Sequence, residues 1–315
     1  MQKFPELSSR HIDHRSYPPG VTYMDGQYLP MHEAKLSVLD YGFLHSDATY
    51  DVVHVWKGAF FRLDAHLDRF FEGIDALHMS IPYDKAQVAE ILHNCVALSG
   101  LKNSYVEFIC TRGTSPKFSR DPRDAENRFI AFAIPFGSVA NSDQMEHGLH
   151  VAVTDVLRIP PRSVDPTVKN YHWLDMVKAL YAAYETGADT AILRDANGNI
   201  SEGPGFNVFT VRDGVISTPD VSVLQGITRQ TIFDIAAQLD IKYRAGDISL
   251  EDIRTADEVF VTSTAGGVMP VTKVDDFAIG CGTPGNLTAR ITGAYWGMHG
   301  DDRFRQVIQY PDARA

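Results

Sequence analysis

Apolar positions along the chain recur in two registers, every second residue or every third to fourth, and the alternation between them predicts the order of elements. Thr22-Tyr23-Met24 and Gln27-Tyr28-Leu29 flank Asp25-Gly26, while Tyr50 to Trp56 and Ala59 to Leu63 flank Lys57-Gly58, so each pair predicts a hairpin. Helical spacing follows over Ala65 to Leu77 and Lys85 to Leu98, with Asp84 placed to cap the second. Strands Tyr105 to Thr111 and Phe129 to Ile134 complete an α+β half. The polar stretch Gly113 to Asn127 between them is long for a connection and carries Lys117, Arg120 and Arg123.

Strand Leu149 to Leu157 opens the second half and runs to a Pro160-Pro161 break, followed by a helical pattern over Leu174 to Thr186. Strands Thr190 to Leu193 and Phe206 to Val211, helix Thr228 to Leu239, strand Glu258 to Ser263 and a helix over Leu287 to Met298 follow. The pattern divides the chain into an N-terminal arm (1–20), a small N-terminal domain (21–135), a linker (136–142) and a large domain (143–315). The chain has no internal repeat.

With 315 residues, 44% of them hydrophobic and 22% charged, the chain is long enough for two lobes and ordinary for a globular enzyme. A net charge of −11 argues against nucleic acid and anionic membrane as partners. Cys95, Cys110 and Cys281 lack the spacing of a zinc or redox pair, the 12 histidines never form His-Glu-x-x-His, and no dinucleotide or phosphate-loop glycine motif occurs. No metal is expected. The charged, proline-containing start and the lack of a long apolar run predict a cytoplasmic protein.

Lys169, in Val168-Lys169-Asn170-Tyr171, and Glu202, in Ser201-Glu202-Gly203-Pro204-Gly205, are the candidate chemistry. An amine to hold an aldehyde and a carboxylate to keep a ring nitrogen protonated are what pyridoxal phosphate needs. An anchor for its phosphate is offered by Gly226-Ile227-Thr228 at the start of a helix, and by the hydroxyl and glycine cluster Thr262-Ser263-Thr264-Ala265-Gly266-Gly267. Arg69 would add positive charge. Each has a plainer reading too: a solvated lysine, a surface carboxylate, an ordinary helix start, and an arginine paired with Asp68 or Glu72 on its own helix.

Met24-Asp25-Gly26, Asp40-Tyr41-Gly42-Phe43-Leu44-His45-Ser46-Asp47, Phe61 to Arg69, the lysine and glutamate segments, Gly226 to Arg229 and Thr264 to Gly267 together resemble the branched-chain-aminotransferase-like, fold type IV (class IV) pyridoxal phosphate enzymes. The likeness covers nearly the whole chain. His45-Ser46-Asp47, His54-Val55-Trp56, Lys169 to Trp173 and Glu202 to Val208 make it most similar to the (R)-selective amine transaminases. The resemblance implies a two-domain α+β / α/β fold with a pseudo-barrel sheet in the larger lobe, and a homodimer with shared active sites. It implies Lys169 as the Schiff-base lysine and Glu202 as the partner of the ring nitrogen. Arg69, Gly226, Ile227, Thr228, Ser263 and Thr264 would hold the cofactor. His45, Tyr50, Val52, Tyr105, Glu107, Trp173, Thr264 and Ala265 would line the substrate pockets, with Arg120 or Arg123 binding a carboxylate. The implied activity is ping-pong transfer of an amino group from an (R)-amine or D-amino acid to a keto acid such as pyruvate. The alternatives are a D-amino-acid or branched-chain transaminase and an aminodeoxychorismate-type lyase.

Overall fold

The structure, a computed structural model, describes residues 18–311, so most of the expected arm over 1–20 lies outside the described residues. Strands β1 (Val21–Met24) and β2 (Gln27–Pro30) meet at Asp25 and Gly26, both at positive φ (52° and 80°), as a tight hairpin turn requires. Helix α1 (Tyr41–His45) leads into β3 (Ala48–Trp56) and β4 (Ala59–Phe61). Helices α2 (Leu63–Ala76) and α3 (Lys85–Ser99) then precede the paired strands β5 (Ser104–Thr114) and β6 (Glu126–Pro135). Asp84 and Gln87 form the capping box of α3, each bonding the other's main chain. The apolar stripes Leu63, Leu67, Phe70 and Ile74 of α2, and Val88, Leu92, Cys95 and Val96 of α3, close over Val53, Val55, Val106 and Phe108 of the strands.

The second half runs α4 (Ser142–His147), β7 (Leu149–Leu157), α5 (Leu174–Glu185), β8 (Thr190–Arg194), β9 (Glu202–Gly203), β10 (Phe206–Arg212), β11 (Val215–Thr218) and α6 (Ile227–Gln238). It continues through β12 (Tyr243–Ala245), α7 (Leu250–Arg254), β13 (Glu258–Ser263), β14 (Gly267–Val274), β15 (Phe277–Ala278), α8 (Asn286–Met298) and β16 (Arg305–Val307). The first sheet, in the order β16-β4-β3-β5-β6-β1-β2, is antiparallel throughout, and its edge strand β16 returns from the far end of the chain. The second, β12-β11-β10-β13-β14-β7-β8, mixes antiparallel pairs with the parallel pairs β12/β11, β14/β7 and β7/β8. Its core is built from Val208, Val259, Val261, Met269 and Val271 on one side and Phe209, Phe260, Ile232 and Tyr295 on the other. No helix among the described residues is long and apolar enough to cross a membrane.

The two sheets meet over the segment between β7 and α5. The Lys169 carbonyl accepts from the Tyr50 N–H (3.1 Å) and the Thr49 hydroxyl (2.9 Å), tying this loop of the second half onto β3 of the first.

Candidate active site

That main-chain anchor fixes where the Lys169 side chain starts, and its Nζ lies 3.4 Å from the Tyr50 hydroxyl and 4.4 Å from the centre of the Tyr50 ring. Tyr50 in turn stacks face to face on Tyr171, with centroids 4.2 Å apart. The amine therefore projects from a braced aromatic ledge into a cavity of about 330 Å³.

Glu202 enters the same cavity from β9, whose pairing with β10 sets it opposite Asn207. Gly205, at a φ of +84°, completes the bend between these strands, and a Cβ there would touch the Trp173 ring at 3.4 Å. The carboxylate is almost fully buried yet well partnered, with Oε1 accepting from Arg158 Nε (2.9 Å) and Oε2 from the Leu224 N–H (2.9 Å). Burial pushes its pKa up, and Arg158 and the Leu224 N–H pull against that rise.

Groups able to hold an anion line another wall. Helix α6 starts after Gly226 with no side-chain cap, which leaves the first N–H groups of the helix open toward the cavity lined by Gly226, Ile227 and Thr228. A Cβ on Gly226 would lie 2.2 Å from Asn207 Oδ1, whose Nδ2 holds the Leu224 carbonyl (2.8 Å), so glycine lets this turn close. Arg69 lines the cavity from α2, aimed by the fully buried Asp51 through two hydrogen bonds of 2.7 and 2.9 Å. His66 also bonds Asp51 (2.7 Å). Although burial alone would raise it, Arg69 and His66 together hold the Asp51 carboxyl far below its ordinary range. Thr262, Ser263, Thr264 and Ala265 complete this side, and the buried Thr262 hydroxyl has no protein partner among the described residues.

The structure thus brings together Tyr50, Val52, Arg69, Tyr105, Lys169, Trp173, Glu202, Gly226, Ile227, Thr228, Ser263, Thr264 and Ala265 around one cavity. Four expected pocket residues lie outside its lining. Glu107 is drawn behind the wall by the hydroxyls of Tyr105 (3.1 Å) and Tyr171, and burial raises its pKa. His45, at the end of α1, faces a second cavity with Asp47, Ser163 and His172. Arg120 and Arg123 sit exposed on the loop between β5 and β6, Arg123 being paired with Asp121 of the same loop.

Residue-by-residue reading of the sequence misses Asp51, Arg158 and Asp175. Asp51 leaves a trace, a carboxylate inside the otherwise apolar Tyr50-Asp51-Val52-Val53, whereas Arg158 and Asp175 look like ordinary charges at element ends.

A phosphorylated pyridine aldehyde suits these residues: an amine, a buried carboxylate, an uncapped helix start beside an arginine, and an unpaired hydroxyl converge on one space. The family model for amino-transferase class IV matches residues 48–274. Among curated proteins, the branched-chain-amino-acid aminotransferase of Pseudomonas aeruginosa is 30% identical over 285 residues, 89% of this chain and 92% of that protein. The D-alanine aminotransferase of Listeria monocytogenes serotype 1/2a is 30% identical over 263 residues, 82% of this chain and 89% of that one. Among solved structures, the T.th. branched-chain amino acid aminotransferase with pyridoxamine 5'-phosphate superposes with a TM-score of 0.87 at 26% identity, over 92% of this chain and 99% of that one. Lobes, cavity and comparisons agree: this chain belongs to the class IV aminotransferases, fold type IV enzymes that use pyridoxal phosphate.

Proposed function

We propose that this aminotransferase takes its amino group from an (R)-amine and passes it to a keto acid by a ping-pong sequence. The observation carrying the choice of donor is the set of cations at the cavity. Its lining holds only Arg69, Arg158 and Lys169 among the described residues, and both arginines are already paired with buried carboxylates. A donor without a carboxylate suits a pocket that keeps no free arginine for one.

Pyridoxal phosphate, when bound, supplies the aldehyde that carries the amino group and the ring that accepts electrons from the substrate carbon. In this reading Lys169 Nζ holds the cofactor at rest, and once displaced takes the proton from the donor's carbon and later returns one. Tyr50, 3.4 Å from Nζ, orients the amine. Glu202 would keep the ring nitrogen protonated, and Arg69 with the start of α6 and Thr264 would hold the phosphate. Val52, Tyr105, Trp173 and Ala265 enclose the donor's substituents. A keto acid's carboxylate, for which the lining itself keeps no free arginine, would have to draw Arg120 or Arg123 in from the exposed loop between β5 and β6.

We also read the protein as a cytoplasmic homodimer, with His45 reaching the partner's site. Supporting the dimer are the exposed apolar side chains Phe43 and Leu44 on α1 and Leu174, Tyr181 and Tyr184 on α5. Sedimentation equilibrium should give twice the chain mass, and a single-chain mass would end that part of the reading.

The second reading, a D-amino-acid or branched-chain transaminase, draws on the names of the relatives. Spectra of the cofactor-loaded enzyme separate the two. (R)-1-phenylethylamine should deplete the visible band while its (S) enantiomer leaves it intact. A response to D-alanine alone or L-alanine alone would transfer the assignment to the second reading.

A further inference from the structure

Behind Glu202 lies a second layer of charge. Arg158 reaches Glu202 with Nε (2.9 Å) and Asp175 with Nη1 (2.7 Å), so one guanidinium joins two carboxylates, and all three side chains are less than a tenth exposed. Asp175 is fixed on both oxygens. Its Oδ2 also accepts from the Ile159 N–H (2.9 Å), and its Oδ1 from the Met176 N–H (2.8 Å) in the first turn of α5. Ile159 and Asp175 bracket the loop that carries Lys169, so the contact that closes this loop is also the contact that engages Arg158.

The layer holds two negative charges and one positive. An arginine engaged wholly on Glu202 would make that carboxylate a poorer proton acceptor, and a second carboxylate on the other edge of the same guanidinium counters this. Arg158, despite the cost of its burial, is held more firmly protonated by Glu202 and Asp175, so its charge is shared between them and not withdrawn.

We propose that Asp175, acting through Arg158, is a positioning residue that keeps Glu202 a strong acceptor for the proton on the cofactor's ring nitrogen. The proposal rests on the reading of Glu202 given above. It makes the strength of the Glu202 contact a property of a three-residue chain rather than of the glutamate alone.

The test compares pyridoxal phosphate with its carbocyclic analogue, in which CH replaces the ring nitrogen, by equilibrium dialysis against the cofactor-free full-length protein. Phosphate and aldehyde are common to both ligands, so the ratio of their Kd values isolates the ring nitrogen. Wild type should prefer pyridoxal phosphate, and Glu202→Gln should lose that preference. Asp175→Asn should narrow it by roughly tenfold, the equivalent of about one pKa unit at Glu202, and Asp175→Glu should restore most of it. Arg158→Lys, whose single ammonium can meet only one of the two carboxylates, should shift the ratio, narrowing it with the ammonium on Glu202 and widening it with the ammonium on Asp175, and carries the test if Asp175→Asn does not fold. Equal weakening of both ligands by Asp175→Asn, with the ratio unchanged, would show that Asp175 only braces the loop and would overturn the proposal. An unchanged ratio in Arg158→Lys would overturn it too. No preference in the wild type would instead remove the role of Glu202 itself, a failure visible before any variant is made.

Discussion

Asp51 decides how Arg69 presents its charge. It is fully buried, accepts from Arg69, His66 and the Val52 N–H, and leaves Arg69 one further anchor on the Gln225 carbonyl (3.2 Å). Removing the charge while keeping the shape leaves the largely covered Arg69 guanidinium without its buried carboxylate, so Asp51→Asn should cost about 3 kcal/mol in urea unfolding at neutral pH. A loss below about 0.5 kcal/mol would mean that water already screens the pair. The carboxyl's folded pKa lies below its unfolded value. The unfolded state therefore binds the proton first, and the Asp51 contribution is present above the ordinary Asp range and fades as pH falls below it. At the same scale, the cavity residues legible in the sequence are those with a local signal: Lys169 on its turn, Glu202 before a Gly-Pro-Gly bend, hydroxyls beside glycines. Arg158 and Asp175 acquire meaning only from each other and from Glu202, which lie far from them in the chain.

Among the elements, those with a strong period or a turn dipeptide were legible, including both hairpins and helices α2, α3, α5, α6 and α8. Strand β14 was not. It sits between β13 and β7, buried along most of its length, so its side chains show no alternation, and Pro270 within it normally argues against an interior strand. Helix α4, of which only Ser142 falls within the expected linker, shows no helical period, although Asn141 and Gln144 form a capping box that announces it. Strand β16 carries no signal of its own, because three residues become a strand only by pairing with β4. Its return places the end of α8 against β3, a contact that no local pattern reveals.

Across the whole molecule that contact is a histidine pair. His54 on β3 and His299 just after α8 approach Nε2 to Nε2 at 2.7 Å. His299 Nδ1 faces the Tyr295 carbonyl at 2.9 Å and so carries its proton there, leaving its Nε2 to accept from His54. Burial lowers both pKa values, that of His299 to about 4. The unfolded chain takes up protons near pH 6.5 and the folded one only near 4, so stability is full above pH 6.5 and declines as pH falls between these values. The His299 share of that loss is about 3 kcal/mol. His299→Gln should flatten the decline in urea midpoints between pH 6.5 and 4, and an unaltered slope would rule out this origin. The pair joins the two halves whose meeting creates the cavity, and in the proposed function the chemistry of that cavity rests on Lys169. Borohydride reduction of the enzyme loaded with pyridoxal phosphate, followed by peptide mass spectrometry, tests this most directly. A single phosphopyridoxyl adduct on Lys169 is predicted, and an adduct on another lysine, or none at all, would contradict it.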